Sequence, residues 1–475
     1  MEVRLMALSM KRRSQQIAAN QLEYQERYQT LTFPLQPELE AATQKRTTLL
    51  ASLEDKVKIG CHGSKLDMEQ LSPGCKICVE GRWSCLFING LCNCSCFYCP
   101  TSQDEIDLPM TNSVSFRHPA DYVDYLERFG FTGASISGGE PLLTPKRSLG
   151  FLYAIKRHFG HKMHTWLYTN GTLLTEELVQ QLHDCGLDEI RFDIGATDYN
   201  LQPLRKAIGN IETVTVEIPA IPEELPRLKR LLPELRDRGV KHLNLHQLRL
   251  TPHNYRHLVK RGYRFLHGEK ITVLDSELAA LELLLETIEN GTDLPVNYCS
   301  FVYKNRFQAL AARQRNGLYQ RKSYEELTEN GYLRTLTLHG SKPQLATLQQ
   351  HFTDRWQNSS LWAVSRSGEQ LTIHPKLWPL IDFSGLKLTL SYAVARQLPS
   401  VTYRNPFIKV ALSPRQELII ERGKACNDLE LDTEQTELFG KKFLFSQRNL
   451  PVPDEDLWDE IHSREWPIEG LQDYY

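Results

Sequence analysis

The sequence has no long hydrophobic run, no charge excess of either sign, and no repeat or low-complexity tract. Across its 475 residues no stretch approaches 18 uncharged apolar residues, so no membrane-spanning helix is expected. The start, MEVRLMALSMKRRSQQ, lacks a continuous apolar segment or a small-residue cleavage site. The expected location is therefore cytoplasmic. Lys plus Arg number 56 and Asp plus Glu 58, a net charge of −2 that carries no global nucleic-acid signal. Any anion-binding surface must be local. With 41% hydrophobic and 24% charged residues the chain can bury a substantial core. That composition excludes a disulfide miniprotein, a coiled coil and a disordered chain.

Cysteine is what the chain has in excess. Of 11 cysteines, eight (Cys61, Cys75, Cys78, Cys85, Cys92, Cys94, Cys96 and Cys99) fall within 39 residues. In a reducing compartment such a cluster predicts metal binding rather than disulfides. Two spacings compete. Cys75-x2-Cys78 and Cys96-x2-Cys99, separated by 17 residues, fit a tetrahedral zinc ribbon. Cys92-x3-Cys96-x2-Cys99, in CNCSCFYC, instead puts three thiolates on one tight loop after a predicted strand. A four-iron cluster normally takes four thiolates, so three leave one iron open, the vacancy a catalytic metal needs.

From about residue 82 short apolar runs alternate with amphipathic segments. WSCLFI (83–88), GASIS (133–137), HTWLYT (164–169), EIRFDI (189–194), TVTVEI (213–218) and HLNLHQL (242–248) are six predicted strands. Thr144 is placed to cap a helix opening at Pro145. Thr175 is placed to cap one that buries Leu178, Val179, Leu182 and Cys185 and stops at Gly186. Pro226 and Pro233 predict a kinked or late-starting helix over 222–238. The alternation implies parallel strands with right-handed crossovers, hence a partial barrel or an open doubly wound sheet. Residues 11–58 predict one or two surface helices turning near Phe33-Pro34. Beyond 250 come a helix around 276–289, a run at 294–300 and a basic stretch. From 331, LRTLTLH, a helix near 342–354, LWAVS, QLTIH, KLTLSY, IKVAL and ELIIE predict a separate α+β domain. The expected divisions are a helical extension (1–60), a Cys-rich lead-in (61–82), a barrel (83–290), a basic connecting segment with Cys299 (291–330) and the α+β domain (331–475).

The downstream sequence separates the two cysteine spacings. The second predicted strand ends in SISGGEP, where Gly138 and Gly139 let backbone approach a ligand and Glu140 supplies an acceptor. The third ends in YTNG, with Thr169 and Asn170. A zinc ribbon needs neither. The triad, with Tyr98 before its last cysteine and these strand ends following in order, resembles the radical S-adenosylmethionine (radical SAM) superfamily, in its activating-enzyme branch. The resemblance spans about residues 83–250, roughly a third of the chain. It implies an α/β fold built on a partial (β/α)6 TIM-like barrel, with site groups on the loops after the strands.

The resemblance also implies that Cys92, Cys96 and Cys99 ligate a [4Fe-4S] cluster, whose remaining iron takes the amino and carboxylate groups of SAM. One electron, from a donor such as flavodoxin or ferredoxin, then cleaves the sulfonium. The resulting 5′-deoxyadenosyl radical abstracts hydrogen from a substrate. On the same basis the Gly138-Gly139-Glu140 element holds the methionine ammonium, Thr169 and Asn170 contact the ribose, and Tyr98 lies against the adenine. Arg191 and Asp193, in RFDIG, suit the methionine carboxylate or the substrate, or a structural ion pair. His246, Gln247 and Arg249 end the sixth strand, a position that in this architecture often faces the substrate, although a strand histidine is more often a satisfied core residue.

Cys61, Cys75, Cys78, Cys85 and Cys299 are candidates for an auxiliary site, either a second iron–sulfur cluster or zinc. Cys94 is out of the triad's register, and Cys185 lies on a buried helical stripe. Only Cys426 follows Cys299, so the seven-cysteine extension of many peptide-modifying relatives is absent, as is a D-x-H-x-x-G cobalamin motif. Residues 301–322 carry Lys304, Arg306, Arg313, Arg315, Arg321 and Lys322 with no acid. They form either a solvated helix face or an anion clamp for phosphate, carboxylate or RNA. The substrate first expected is a protein or peptide, docked by the N-terminal helices and the C-terminal domain. RNA or a small anion is the alternative within the enzyme class. A non-catalytic zinc or iron–sulfur binding or regulatory protein is the alternative outside it.

Overall fold

The computed structural model describes residues 5–6, 10–67, 70–356, 359–414, 416–453 and 456–474. Two units divide the chain, 1–308 together with 468–475, and 309–467.

Seven parallel strands organise the first unit: β1 (Trp83–Asn89), β2 (Gly133–Gly138), β3 (His164–Thr169), β4 (Glu189–Phe192), β5 (Thr213–Pro219), β6 (His242–His246) and β7 (Val296–Cys299). Each pairs with the next in chain order. The first six match the predicted runs. The seventh is the LPVNYCS run, which the sequence assigns to a connecting segment. It enters the sheet because Val296, Tyr298 and Cys299 are all buried, as a parallel strand covered on both faces requires. Short antiparallel strands Met110–Thr111 and Val114–Ser115 extend the β1 edge, and the hairpin of Lys58–Gly60 and Lys65–Asp67 lies antiparallel to β7. The sheet keeps two edges, consistent with a partial TIM-like barrel.

Local chemistry explains the crossovers. The helix Glu176–Asp184 opens where Thr175 Oγ1 accepts from Leu178 N at 3.1 Å, and the chain leaves it at Gly186 with φ +84°. The late-starting helix runs Leu225–Arg238, with Pro226 in its first turn and Pro233 inside it. Thr144 holds the N-cap position of the helix Pro145–Phe159 as expected, but its hydroxyl caps no backbone N–H and instead accepts from Asn89 Nδ2 at 3.0 Å, tying that helix to the end of β1.

The N-terminal helices are more than a surface layer. Gln36–Leu53 packs on Leu274–Glu289, and Arg46 between them is fully buried. Its guanidinium meets Glu277 Oε1 at 3.1 Å and the Gln472 carbonyl at 2.6 Å. The C-terminal strand Leu471–Gln472 pairs with Leu5–Met6, so the chain's end belongs to the first unit rather than to the α+β domain. The division between units falls inside the helix Phe301–Gln320 rather than at 331.

In the second unit the predicted strands form one antiparallel sheet in the order Trp362–Val364, Gln370–Ile373, Leu333–His339, Lys387–Leu398, Gln416–Lys424 and Phe407–Ser413. The helix Lys342–Arg355 contributes Leu345 and Phe352 to a core that includes Leu390, Trp378, Phe439 and Trp458.

Candidate active site

A cavity of about 510 Å³ opens in the first unit where β1 to β6 end. Cys92, Cys96 and Cys99 all reach it from the loop after β1, whereas Cys94 does not. The loop is seated by backbone contact. A Cβ on Gly138 would lie 2.1 Å from the Asn89 carbonyl oxygen, and one on Gly139 1.9 Å from that of Leu91. Gly139 N donates to Asn89 O at 3.0 Å and Glu140 N to Leu91 O at 2.7 Å. Sequence reasoning assigned the glycine pair to close approach of a ligand. Both glycines do line the cavity, but it is the root of the cysteine loop that demands them.

Glu140 is buried and its carboxylate already serves three donors: Leu142 N at 2.9 Å, Thr169 Oγ1 at 2.9 Å and Asn170 N at 2.8 Å. It clamps the end of β2 to the end of β3, and burial pushes its pKa up. Asn170 extends this clamp to the loop, with Nδ2 at 2.8 Å from Asn93 Oδ1 and 3.9 Å from Cys92 Sγ. Tyr98 lines the cavity and donates its hydroxyl to the Asp193 carboxylate at 2.8 and 3.0 Å. Burial raises Asp193 to about 6.

Arg191 is not a cavity residue. It is buried below, in ion pairs with Glu189 at 2.8 Å and Glu217 at 2.7 Å. The expected contact with the methionine carboxylate gives way to the structural pair. Glu217 also accepts from His246 Nε2 at 2.6 Å, and both line the cavity. Burial would raise Glu217, but His246 and Arg191 outweigh it and hold it well below the usual carboxylate range.

Two cavity cations remain. Arg249 lies 5.5 Å over the Phe301 ring, and Lys304 faces the cavity from the helix Phe301–Gln320. Neither forms a salt bridge among the described residues, and burial lowers both. Sequence reasoning missed Glu217, Phe301 and Gln308 as lining residues. An acid closing the apolar run TVTVEI was the available signal for Glu217, and Lys304 was visible only as one charge of the basic stretch.

The remaining cysteines separate cleanly. Cys75, Cys78 and Cys299 line a second void of about 60 Å³, which shares Tyr168, Glu217, His246, Lys304 and Gln308 with the main cavity. The zinc-ribbon pairing of Cys75 and Cys78 with Cys96 and Cys99 therefore fails, because the two pairs face different cavities. No group of three or more His, Cys, Asp or Glu side chains among the described residues is arranged to hold a single metal ion. Cys85 leaves the auxiliary set: it lies on β1 against Ser135 and Ser137, outside the second void.

The residues present fit a cluster and a bound SAM: three thiols on one loop, an aromatic ring beside them, and polar strand ends share one cavity. A family model described as the radical SAM superfamily matches residues 86–218. A putative glycyl-radical enzyme activating enzyme of Methanocaldococcus jannaschii is 33% identical over 284 residues, which cover 56% of this chain and 73% of that protein. A probable GTP 3′,8-cyclase of Methanococcus aeolicus is 30% identical over 124 residues, 26% of this chain and 40% of that one. Among solved structures, Streptococcus suis SuiB bound to precursor peptide SuiA overlaps 56% of this chain and 55% of that one, at 11% identity and a TM-score of 0.34.

Proposed function

Because the chain belongs to the radical SAM superfamily of enzymes, we propose that it reductively cleaves SAM and abstracts hydrogen from a protein or peptide that presents an anionic group. When bound, the [4Fe-4S] cluster and SAM supply the electron-driven cleavage and the hydrogen-abstracting radical. The chain supplies placement. Cys92, Cys96 and Cys99 would hold the cluster at the cavity wall. Gly138, Gly139, Thr169 and Asn170 border the space for the methionine and ribose moieties. Glu140 acts on that space indirectly, by locking the two strand ends together. Tyr98, its hydroxyl fixed by Asp193, offers its ring to the adenine.

The carrying observation is that all three sulfurs of the loop meet the glycine pair and the polar strand ends in one cavity. The protein or peptide substrate is supported by the activating-enzyme description of the Methanocaldococcus relative. Its anionic group is supported by Arg249 and Lys304, the cavity cations that form no salt bridge among the described residues. RNA gains little from the basic stretch, since Arg306 is taken by Glu269 at 3.1 Å and Arg313 by Asn330 at 2.5 Å. A small redox protein of the flavodoxin or ferredoxin class is the proposed electron donor. Among the described residues no helix is long and apolar enough to cross a membrane.

The test is release of 5′-deoxyadenosine from SAM by the anaerobically reconstituted, dithionite-reduced protein. No release above a Cys92→Ala, Cys96→Ala, Cys99→Ala control would sink the reading. For the substrate, Arg249→Met and Lys304→Met should raise KM for an accepted acidic peptide more than they lower kcat.

A further inference from the structure

Two segments far apart in sequence deliver thiols to the second void, and a third brings one beside it. Cys75 and Cys78 sit one helical turn apart on the helix Pro73–Val79. Cys299 ends β7. Cys61 lies outside the lining of that void, on the hairpin turn directly after Gly60, which pairs with Lys65, itself paired with Cys299 of β7. No disulfide joins them.

Donor groups surround these thiols, with Asn297 Oδ1 as an acceptor 3.3 Å from Cys299 Sγ. Lys65 Nζ lies 2.8 Å from Cys299 Sγ, Asn244 Nδ2 3.4 Å from Cys75 Sγ, and Tyr303 Oη and Gln308 Nε2 lie 3.1 and 3.8 Å from Cys78 Sγ. A neutral thiol is a poor acceptor, whereas a metal-bound thiolate is routinely stabilised by such donors. The charge balance agrees. Lys65, Arg191 and Lys304 line the void with Glu217 as the one carboxylate among its lining residues. That surplus of cations favours the thiolate form of these cysteines and suits a metal group that carries net negative charge together with its thiolates.

We propose that Cys75, Cys78 and Cys299, with Cys61 of the adjoining hairpin as the fourth ligand, hold a second iron–sulfur cluster, buried beside the SAM cavity and distinct from the cluster on the Cys92–Cys99 loop. This goes beyond the proposed reaction and does not depend on it. Lys65 and Asn244 are its positioning residues. Iron–sulfur is favoured over zinc because no three His, Cys, Asp or Glu side chains among the described residues converge on a single ion position.

The direct test is metal and sulfide content after anaerobic reconstitution. The full-length protein is expected to hold about eight iron and eight sulfide per chain. The Cys92→Ala, Cys96→Ala, Cys99→Ala variant should keep about half of each, with visible absorbance and an EPR signal after reduction. Cys75→Ala, Cys78→Ala should lose the other half and keep 5′-deoxyadenosine release. About four iron in the full-length protein, or one zinc in its place, overturns the proposal. So does a folded loop variant that is free of iron. Loss of SAM cleavage in the full-length protein, with eight iron present, would break only the functional reading.

Discussion

The cysteines of the loop after β1 and those around the second void are held in opposite ways. The loop thiols lie within eight residues of sequence, only partly buried, on backbone seated by two glycines. The second group is drawn from positions up to 238 residues apart, with Cys75 and Cys299 buried and donors aimed at three of its four sulfurs. The first arrangement leaves an open face where a small molecule can join the site. The second closes around its contents. A thiol group made for chemistry and one made for containment therefore differ in exposure and in outer partners more than in residue type.

The largest effect should come from the loop itself. Cys96→Ala is expected to bring 5′-deoxyadenosine release to background while leaving the buried iron, read as residual absorbance in the same sample.

The next concerns the helix that carries Cys75 and Cys78. Glu189 anchors it by accepting from Gly74 N at 3.1 Å, and Arg191 reaches Ser72 Oγ at 3.2 Å. Breaking this buried pair with Glu189→Gln should cost about 3 kcal/mol of stability in a denaturant titration. Iron should be lost from the buried group and not from the loop. Gly74→Ala should act alike, since its Cβ would lie 2.4 Å from an Arg191 guanidinium nitrogen.

The same pair predicts a pH response. Burial favours protonation of Glu189, but Arg191 and His164 prevail and hold it at about 2, against an ordinary value of 4.5. A depressed carboxylate contributes stability that is fully present above about pH 4.5 and disappears as pH falls towards 2. Thermal unfolding of the native protein should therefore drop over that window, and Glu189→Gln should flatten the part due to this group. An equal acid response in both proteins would remove Glu189 from the account.

A smaller effect should separate the two groups by potential. Lys65→Met removes a cation 2.8 Å from Cys299 Sγ, so the buried cluster's midpoint should move to lower potential while the loop cluster's stays fixed. Redox-titrated EPR reads both. The smallest change should follow Cys94→Ala, which sits on the loop without reaching the cavity. It should shift stability by no more than about 0.5 kcal/mol and release no iron.

Much of this was legible from local pattern. Apolar runs with period-two character located six strands, and turn chemistry located the helices between them, because both signals are carried by adjacent residues. The seventh strand escaped because VNYC is short and flanked by a polar stretch, and only pairing with β6 and the hairpin makes it part of the sheet. Arg191 and Asp193, two residues apart in one motif, would share a face if the strand continued, but it ends at Phe192: Arg191 turns to Glu189 and Glu217 in the interior, while Asp193 caps the turn that follows and meets Tyr98.

The sequence by itself determined the family and the grouping of the three loop cysteines. Cys92, Cys96 and Cys99 are so close that no fold could separate them, and the glycine pair and polar strand ends follow at fixed intervals. Only the tertiary structure decided where the other cysteines lie. It excluded Cys85, denied the zinc ribbon its four ligands, and brought Cys61, Cys75, Cys78 and Cys299 together with Lys65. The physical reason is range: a spacing motif records contacts made within a turn or two of chain, whereas the second group depends on β7 lying between β6 and the hairpin, a pairing that depends on the whole sheet.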